Sequence, residues 1–192
     1  MLTKKDKKHL EQILDYWFGQ LTPEQWFIQD TQVDSHIRDH FLEIYHSLQK
    51  KDLLNITFTG KEILPTIILF DQMPRNMFRH SPQAFETDPL ARSLCYLALA
   101  NRLDLDMTDL QKTFIYMPLE HSEDMKDQEL CISLFQQRTA LPQQIDYAIR
   151  HFQIIKEFGR FPHRNKILGR LSTAEEEKFL STGGDSFENS EN

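Results

Sequence analysis

A series of helix-start signals, each followed by apolar residues at helical spacing, is the feature that most constrains the fold of this chain. A Ser, Thr or Asp side chain at the start of a helix accepts a backbone hydrogen bond that the first turn leaves free. Strand-like alternation is almost absent, with Asn55 to Thr59 as the single short candidate. The sequence therefore predicts an all-α protein. The signals are Thr22-Pro23-Glu24-Gln25, Asp88-Pro89, Thr108-Asp109-Leu110-Gln111 and Ser172-Thr173-Ala174-Glu175.

The predicted helices are long enough to pair with one another. Apolar stripes predict helices over roughly Lys4–Phe18, Val33–Leu48, Ile63–Phe70, Leu90–Asn101, Met125–Phe135 and Pro142–Phe158. A short helix begins at Thr108, and Pro118 is expected to end it. Short connections favour antiparallel helix pairs, arranged as a bundle or as a helical solenoid. We expect one helical domain over residues 1–182, followed by a polar, flexible C-terminal tail over residues 183–192.

Composition and charge exclude several classes of protein. The longest apolar run, Ile67–Phe70, is far shorter than the roughly 20 residues that cross a bilayer, so no membrane partner is expected. The net charge of −7 makes nucleic-acid binding an unfavoured function, because a phosphate backbone attracts clustered positive charge. Cys95 and Cys131 lie in apolar helical patterns, where a thiol acts as a small core residue. Together with the lack of an export signal, this predicts a cytoplasmic location.

A basic segment between Phe158 and Arg170 is the densest candidate site. It holds three arginines, one lysine and one histidine without a carboxylate. Gly159 and Pro162 predict a shaped turn, in which several guanidinium groups converge on one point. Anion binding and structural pairing with carboxylates are equally good interpretations of this segment. Its candidate ligand-binding residues are Arg160, Arg164, Asn165 and Arg170, with His163 as a candidate for proton exchange.

Two further polar groups lie outside the basic segment. Asp71 and Arg75 are four residues apart at a helix end, a spacing that allows an ion pair, and Asn76 follows them. Either a helix-capping network or ligand contact explains these three residues. His121 and Glu123 flank a serine, but no G-x-S-x-G elbow accompanies it. The serine is therefore interpreted as a helix cap, while His121 and Glu123 suit general acid–base chemistry.

A metal site is the weaker alternative for the same histidines. His151 lies beside the apolar stripe of its predicted helix, where a satisfied core histidine is the ordinary interpretation. With His121, His163 and Glu123 it offers nitrogen and oxygen donors for a divalent metal. None of these residues has the H-E-x-x-H spacing that makes such a site specific. No metal ligands are therefore predicted, and a metal-dependent hydrolase is only the third hypothesis for function.

Three motifs give the chain a resemblance to a known family. They are DQMPRNMFR at 71–79, YMPLEHSE at 116–123, and FGRFPHRN at 158–165 continued by GRLST at 169–173, with YWF at 16–18 near the start. In these motifs the chain resembles the bacterial domain of unknown function family numbered 924 (DUF924), over roughly residues 15–187. The resemblance implies a single helical domain similar to tetratricopeptide-type folds. It implies no established reaction, and the cofactor is left unknown.

The function expected from these observations is a polar pocket that binds a small anionic ligand. Arginines would hold the anion, and His121 or His163 would exchange a proton with the help of Glu123. Whether the protein is an enzyme is left open. The runner-up is a non-catalytic, tetratricopeptide-like module that binds a peptide in a groove. The ligand-binding residues expected for the pocket are Asp71, Arg75, Asn76, His151, Arg160, Arg164, Asn165 and Arg170.

Overall fold

The computed structural model describes residues 1–185, which form nine α-helices and no β-strand. The all-α prediction is confirmed. Within the described range no helix combines the length and the apolar character needed to cross a bilayer. Residues 186–192 of the predicted tail lie outside the described residues. The helices are α1 (Lys4–Leu14), α2 (Thr31–Gln49), α3 (Gly60–Asp71), α4 (Met73–Met77), α5 (Asp88–Ala100), α6 (Asp109–Glu120), α7 (Met125–Arg138), α8 (Pro142–Phe158) and α9 (Ala174–Ser181).

Local capping chemistry starts several of these helices. The capping box predicted at Thr108 is confirmed: Thr108 accepts a backbone N–H in the first turn, and its own N–H is bonded by the Gln111 side chain. The box predicted for Ser172 and Glu175 forms one residue later, between Thr173 and Glu176. The signal at Thr22 starts only a 3₁₀ turn over Glu24–Trp26. The first α-helix ends at Leu14 and continues as a π-helical turn over Asp15–Gln20.

Two helices, α3 and α6, run through the centre of the protein. Every residue of Ile63–Asp71 in α3 and of Thr113–Glu120 in α6 is buried. A helix that is apolar on all sides is stable only when other helices cover it. Helix α3 packs against α1, α5 and α6, and α6 also packs against α5 and α7. One hydrophobic core results, with members from Leu2 to Ala148.

Proline does not end α6 as the sequence predicts. Pro118 is buried inside α6, which continues to Glu120. Pro65 likewise lies inside a helix, within α3. An interior proline removes one helical hydrogen bond and costs about 3 kcal/mol, so tertiary packing outweighs the local preference here. The predicted short strand at 55–59 is also absent from the described structure, where Leu53–Asn55 forms a 3₁₀ turn.

The C-terminal segment folds back on the end of α6. Helix α8 ends at Gly159, whose φ of 69° is the left-handed conformation that glycine adopts without strain. A 3₁₀ turn over Pro162–Arg164 follows, and Phe161 packs with Ile154 and Ile155 in a small second cluster. The basic segment is therefore a shaped turn, as predicted. A tetratricopeptide-like array and a single domain over residues 1–182 stay predictions.

Candidate functional site

A buried carboxylate and a histidine meet where α3 and α6 end. Asp71, the last residue of α3, is fully buried, and its Oδ1 lies 2.9 Å from His121 Nδ1. Gln72 donates a hydrogen bond to Oδ2 of the same carboxylate. Burial alone would raise the pKa of Asp71, but His121, Arg75 and these hydrogen bonds outweigh it and lower that pKa. Asp71 is therefore ionised and accepts the His121 Nδ1–H.

The hydrogen bond to Asp71 defines the state of the His121 ring. Burial lowers the pKa of His121, which makes the neutral imidazole the resting form. With Nδ1–H donated to Asp71, the lone pair lies on Nε2, and Nε2 makes no hydrogen bond within residues 1–185. The side chain keeps 13% of its surface exposed. Nε2 is thus free to accept a proton or to bind a ligand atom.

Arg75 ties this pair to α5. Its Nη1 and Nη2 donate to the Asp88 carboxylate at 3.0 and 3.1 Å, and Nη1 also donates to the Asp71 carbonyl. A bidentate pair of this kind holds the guanidinium plane in one orientation. The Arg75 and Asp88 side chains are 22% and 19% exposed, so solvent reaches this side of the cluster. The sequence predicts Asp88 as the N-cap of α5, but the N-cap is Thr87, and Asp88 is the first residue of the helix and pairs with Arg75.

Arg164 enters the cluster from the basic turn. Its guanidinium carbon lies 4.5 Å from the centre of the Phe161 ring and 4.9 Å from that of Phe85. Nη1 donates to the His121 carbonyl at 3.0 Å and lies 3.6 Å from Asp88. Nε is buried and makes no hydrogen bond with any described residue. Burial, opposed by Asp88 and reinforced by Arg75, lowers the pKa of Arg164 to about 10, so the group stays charged at neutral pH.

A second buried pair, Glu120 and His151, lies behind His121. His151 was among the predicted site residues, and Glu120 was not. Glu120 is 3% exposed, and its Oε1 lies 3.4 Å from His151 Nδ1. Burial and the Asp71 charge raise the pKa of Glu120 to about 8. Burial also lowers the pKa of His151 well below its ordinary value. Both side chains are therefore largely uncharged at neutral pH, next to an ionised Asp71.

The remaining arginines of the basic segment form a separate network. Arg170 makes a bidentate pair with Glu123 at 2.7 and 2.9 Å and donates through Nε to Asn165. Arg160 makes a bidentate pair with Glu176 at 2.6 and 2.8 Å, and Asn165 donates to the same carboxylate. Glu123 further accepts the Phe161 N–H at 2.8 Å. These side chains satisfy one another, which is the structural pairing that the sequence left open.

The chain matches a family profile described as a bacterial protein of unknown function (DUF924) over residues 13–184. It belongs to this family. A solved structure of a protein of unknown function from Agrobacterium tumefaciens has the same fold, with a TM-score of 0.83 and 33% sequence identity over 91% of this chain and 97% of that one. No curated protein matches the chain.

The three DUF924 motifs contribute unequally to the cluster at the end of α3 and α6. Of the predicted residues, the structure brings together Asp71, Arg75, His121, His151 and Arg164. It separates Asn76, which donates to Asp34 at 2.8 Å on the α2 side, where Arg79 also pairs with that carboxylate.

Other residues of the DUF924 motifs lie around the cluster. The His163 ring packs 5.5 Å from that of Phe161, and burial together with the Arg164 charge lowers its pKa to about 3. A proton donor with so low a pKa is poorly suited to neutral pH, so His121 is the better candidate. Glu120 was missed although its position as a lone carboxylate in the apolar run of α6 was visible in the sequence. The described residues include no group of three or more His, Cys, Asp or Glu side chains arranged to hold a metal.

Proposed function

We propose that the cluster formed by Asp71, Arg75, Asp88, His121 and Arg164 binds a small anionic ligand and exchanges a proton with it through His121. The ligand class is a compound with a carboxylate or phosphate group, since arginine forks match both. The identity of the ligand and the reaction are left unassigned. The cluster offers such a ligand two contacts, an anion contact at Arg164 and a proton contact at His121.

One observation carries the anion contact: Arg164 is 7% exposed, yet its guanidinium makes one hydrogen bond within residues 1–185, from Nη1 to the His121 carbonyl, besides the 3.6 Å approach of Nη1 to Asp88. A buried charge is costly unless it is paired and hydrogen-bonded. Arg160 and Arg170, in the same segment, are bonded through several nitrogens to carboxylates. The difference supports Arg164 as a group whose remaining donors serve a ligand.

The charges around Arg164 also favour an anion. Asp88 is the carboxylate nearest to both guanidinium groups, and its hydrogen bonds go to Arg75. Asp71 is committed to His121 and Gln72. An incoming carboxylate or phosphate would therefore meet the Arg164 guanidinium, whose charge Asp88 neutralises only in part. The Phe85 and Phe161 rings hold that guanidinium flat, which lowers the entropy lost on binding.

The proton contact rests on the hydrogen bond between Asp71 and His121. A carboxylate that accepts Nδ1–H keeps an imidazole in the tautomer with a basic Nε2 and stabilises the charged ring after it takes a proton. The hydrogen bond from Arg164 to the His121 backbone carbonyl supports one site that contains both side chains. This supports His121 as the acid–base group, with Asp71 orienting it.

Thermal unfolding with a panel of small carboxylates and phosphates tests the proposal. A ligand at one hundred times its dissociation constant stabilises the folded chain by about 2.7 kcal/mol. We expect such a shift for the wild type and for Arg150→Met, which removes a guanidinium from the surface of α8. Arg164→Met and His121→Gln should lose most of it. If a ligand stabilises Arg164→Met as much as the wild type, Arg164 is not the anion contact.

A peptide-binding module is the alternative function, and it rests on the predicted tetratricopeptide-like array. Fold alone is a weak guide to function. The proposed location is the cytoplasm, and the buried, unpaired thiols of Cys95 and Cys131 suit its reducing conditions.

A further inference from the structure

The charges of the cluster around His121 cancel at neutral pH. Arg75 and Arg164 contribute two positive charges, one from each guanidinium. Asp71 and Asp88 contribute two negative charges, one from each carboxylate. His121 adds none, because burial lowers its pKa and leaves the imidazole neutral at pH 7. The cluster proposed to bind an anion therefore has a net charge of zero.

Three further titratable side chains lie around His121 and are largely neutral at pH 7. Glu120 precedes it on α6, and burial raises the pKa of this carboxyl to about 8, so the proton is kept. From α8, the centre of the His151 ring lies 6.4 Å from that of His121, and burial holds the His151 pKa well below its usual value. In the basic turn, burial lowers the pKa of His163 to about 3. These groups leave the net charge of the cluster unchanged.

An anion alone would give this part of the protein an unbalanced negative charge. Glu123, two residues after His121, is already matched, because Arg170 donates to its two carboxylate oxygens at 2.7 and 2.9 Å. Arg164 is 7% exposed, so water screens a charge beside it only weakly. An uncompensated charge in such surroundings is costly. Binding of an anion therefore favours the uptake of a positive charge at the same place.

His121 is the side chain suited to restore the balance by taking up a proton. Its Nδ1–H is donated to Asp71 Oδ1 at 2.9 Å, so a further proton adds to the lone pair of Nε2. The resulting imidazolium carries one positive charge, which the Asp71 carboxylate on one side and a bound anion on the other would both stabilise. The His121 side chain is 13% exposed, so the proton is supplied by solvent.

Building on the proposed function, we propose that the ligand carries a single negative charge and binds together with one proton, which adds to His121 Nε2. The ligand class narrows to monocarboxylates and other singly charged anions. A dianion such as a phosphate monoester would leave one negative charge uncompensated after the same proton is taken up. Glu120 cannot compensate that charge, since it already holds its proton.

Proton uptake makes the affinity for the anion depend on pH. A negative charge within about 4–6 Å raises the pKa of a histidine by about 1–3 pH units, so the His121 pKa is higher in the complex than in the free chain. Between these two pKa values the complex binds one more proton than the free chain. The affinity should therefore fall by about tenfold per pH unit as the pH rises through this window, and be constant above it.

NMR titration of the histidine rings of the full chain, with sodium acetate and with sodium sulfate, tests the proposal; sodium chloride matches the ionic strength. We expect acetate to raise the His121 pKa by at least about one pH unit and to bind more tightly than sulfate at pH 7. The His121 signal is identified by its loss in His121→Gln. Arg164→Met should abolish the effect of acetate, and Arg150→Met should retain it, since the Arg150 side chain is 41% exposed on α8.

The same titration separates proton uptake from anion binding. If acetate binds to the wild type but not to Arg164→Met, and the His121 pKa is unchanged, proton uptake is overturned while the anion contact at Arg164 stands. If sulfate binds more tightly than acetate, the single negative charge of the ligand is overturned. If neither anion binds to the wild type, the anion contact and the proton uptake that depends on it both fail.

Discussion

Asp71 and His121, fifty residues apart in the sequence, are joined by a 2.9 Å hydrogen bond at the point where the two central helices end. Each lies at the C-terminal end of a helix that other helices cover on all sides. The pair is therefore held by the packing of the core, and not by a mobile loop. Such a scaffold gives an acid–base group a defined orientation.

Asp71→Asn tests this relationship directly. The carboxylate raises the His121 pKa and accepts its Nδ1–H, so the amide should lower that pKa further. Arg75 also loses a nearby negative charge, and we expect a loss of about 3 kcal/mol in the free energy of unfolding. NMR titration of the His121 ring and urea unfolding measure the two effects. Asp106→Asn, at an exposed loop position, is the control and should change neither.

The arginines of the basic turn should differ in what they contribute to stability. Arg164→Met removes a buried charge with few hydrogen bonds and leaves Asp88 paired with Arg75. Replacing such a charge by an apolar side chain is often neutral or stabilising, so we expect a change within about 1 kcal/mol. Urea unfolding of the ligand-free chain gives the value. A loss above about 3 kcal/mol would mean that Arg164 is a structural residue.

Arg170→Met, in contrast to Arg164→Met, should destabilise the folded protein. This arginine makes charge-assisted hydrogen bonds to Glu123, Asn165 and the Phe161 carbonyl. We expect its loss to lower the free energy of unfolding by about 2 kcal/mol. Lys166→Met, at an exposed position of the same turn, controls for the change of charge. Additive effects in the double variant Arg170→Met with Glu123→Gln would contradict a direct contribution of the pair.

Glu120 should make the protein less stable as the pH rises. The folded chain keeps the Glu120 proton up to pH about 8, whereas the unfolded chain releases it near the ordinary pKa of 4.5. Between these values the folded state binds more protons, so its stability falls with increasing pH. Glu120→Gln remains neutral, and its stability relative to the wild type should rise across this window. Urea unfolding at several pH values measures the difference, with Glu129→Gln on the surface of α7 as control.

His151 should make the protein less stable as the pH falls. Its pKa is lowered well below 6.5 in the folded chain, while the unfolded chain takes up the proton near 6.5. The unfolded state therefore binds more protons as the pH falls below 6.5, and stability is lost there. His151→Asn retains a donor for the Tyr147 carbonyl and does not titrate, so it should lose less stability on acidification. If the free energies of unfolding of this variant and of the wild type fall by the same amount below pH 6.5, the lowered pKa of His151 is refuted.

The sequence by itself was sufficient for the helical class and for the approximate position of most helices, although of the four helix-start signals only Thr108 is the N-cap of an α-helix. The capping box at Thr108 and the glycine stop at Gly159 act within one turn of the chain, so they can be recognised without knowledge of the fold. The position of Asp71 at a helix end was also predicted correctly. The prediction that Pro118 ends α6 was wrong. The local cost of the proline is outweighed by the burial of α6, and a local sequence pattern carries no information about that burial.

The tertiary structure alone decided which polar side chains meet. Arg160, Arg164 and Arg170 are the same residue type within eleven positions, and no local signal separates them. Packing of α9 brings Glu176 to Arg160, and the end of α6 brings Glu123 to Arg170, while Arg164 points between two aromatic rings toward His121. Contacts between distant segments depend on how α3, α6 and the basic turn pack together, and that arrangement is a property of the whole core.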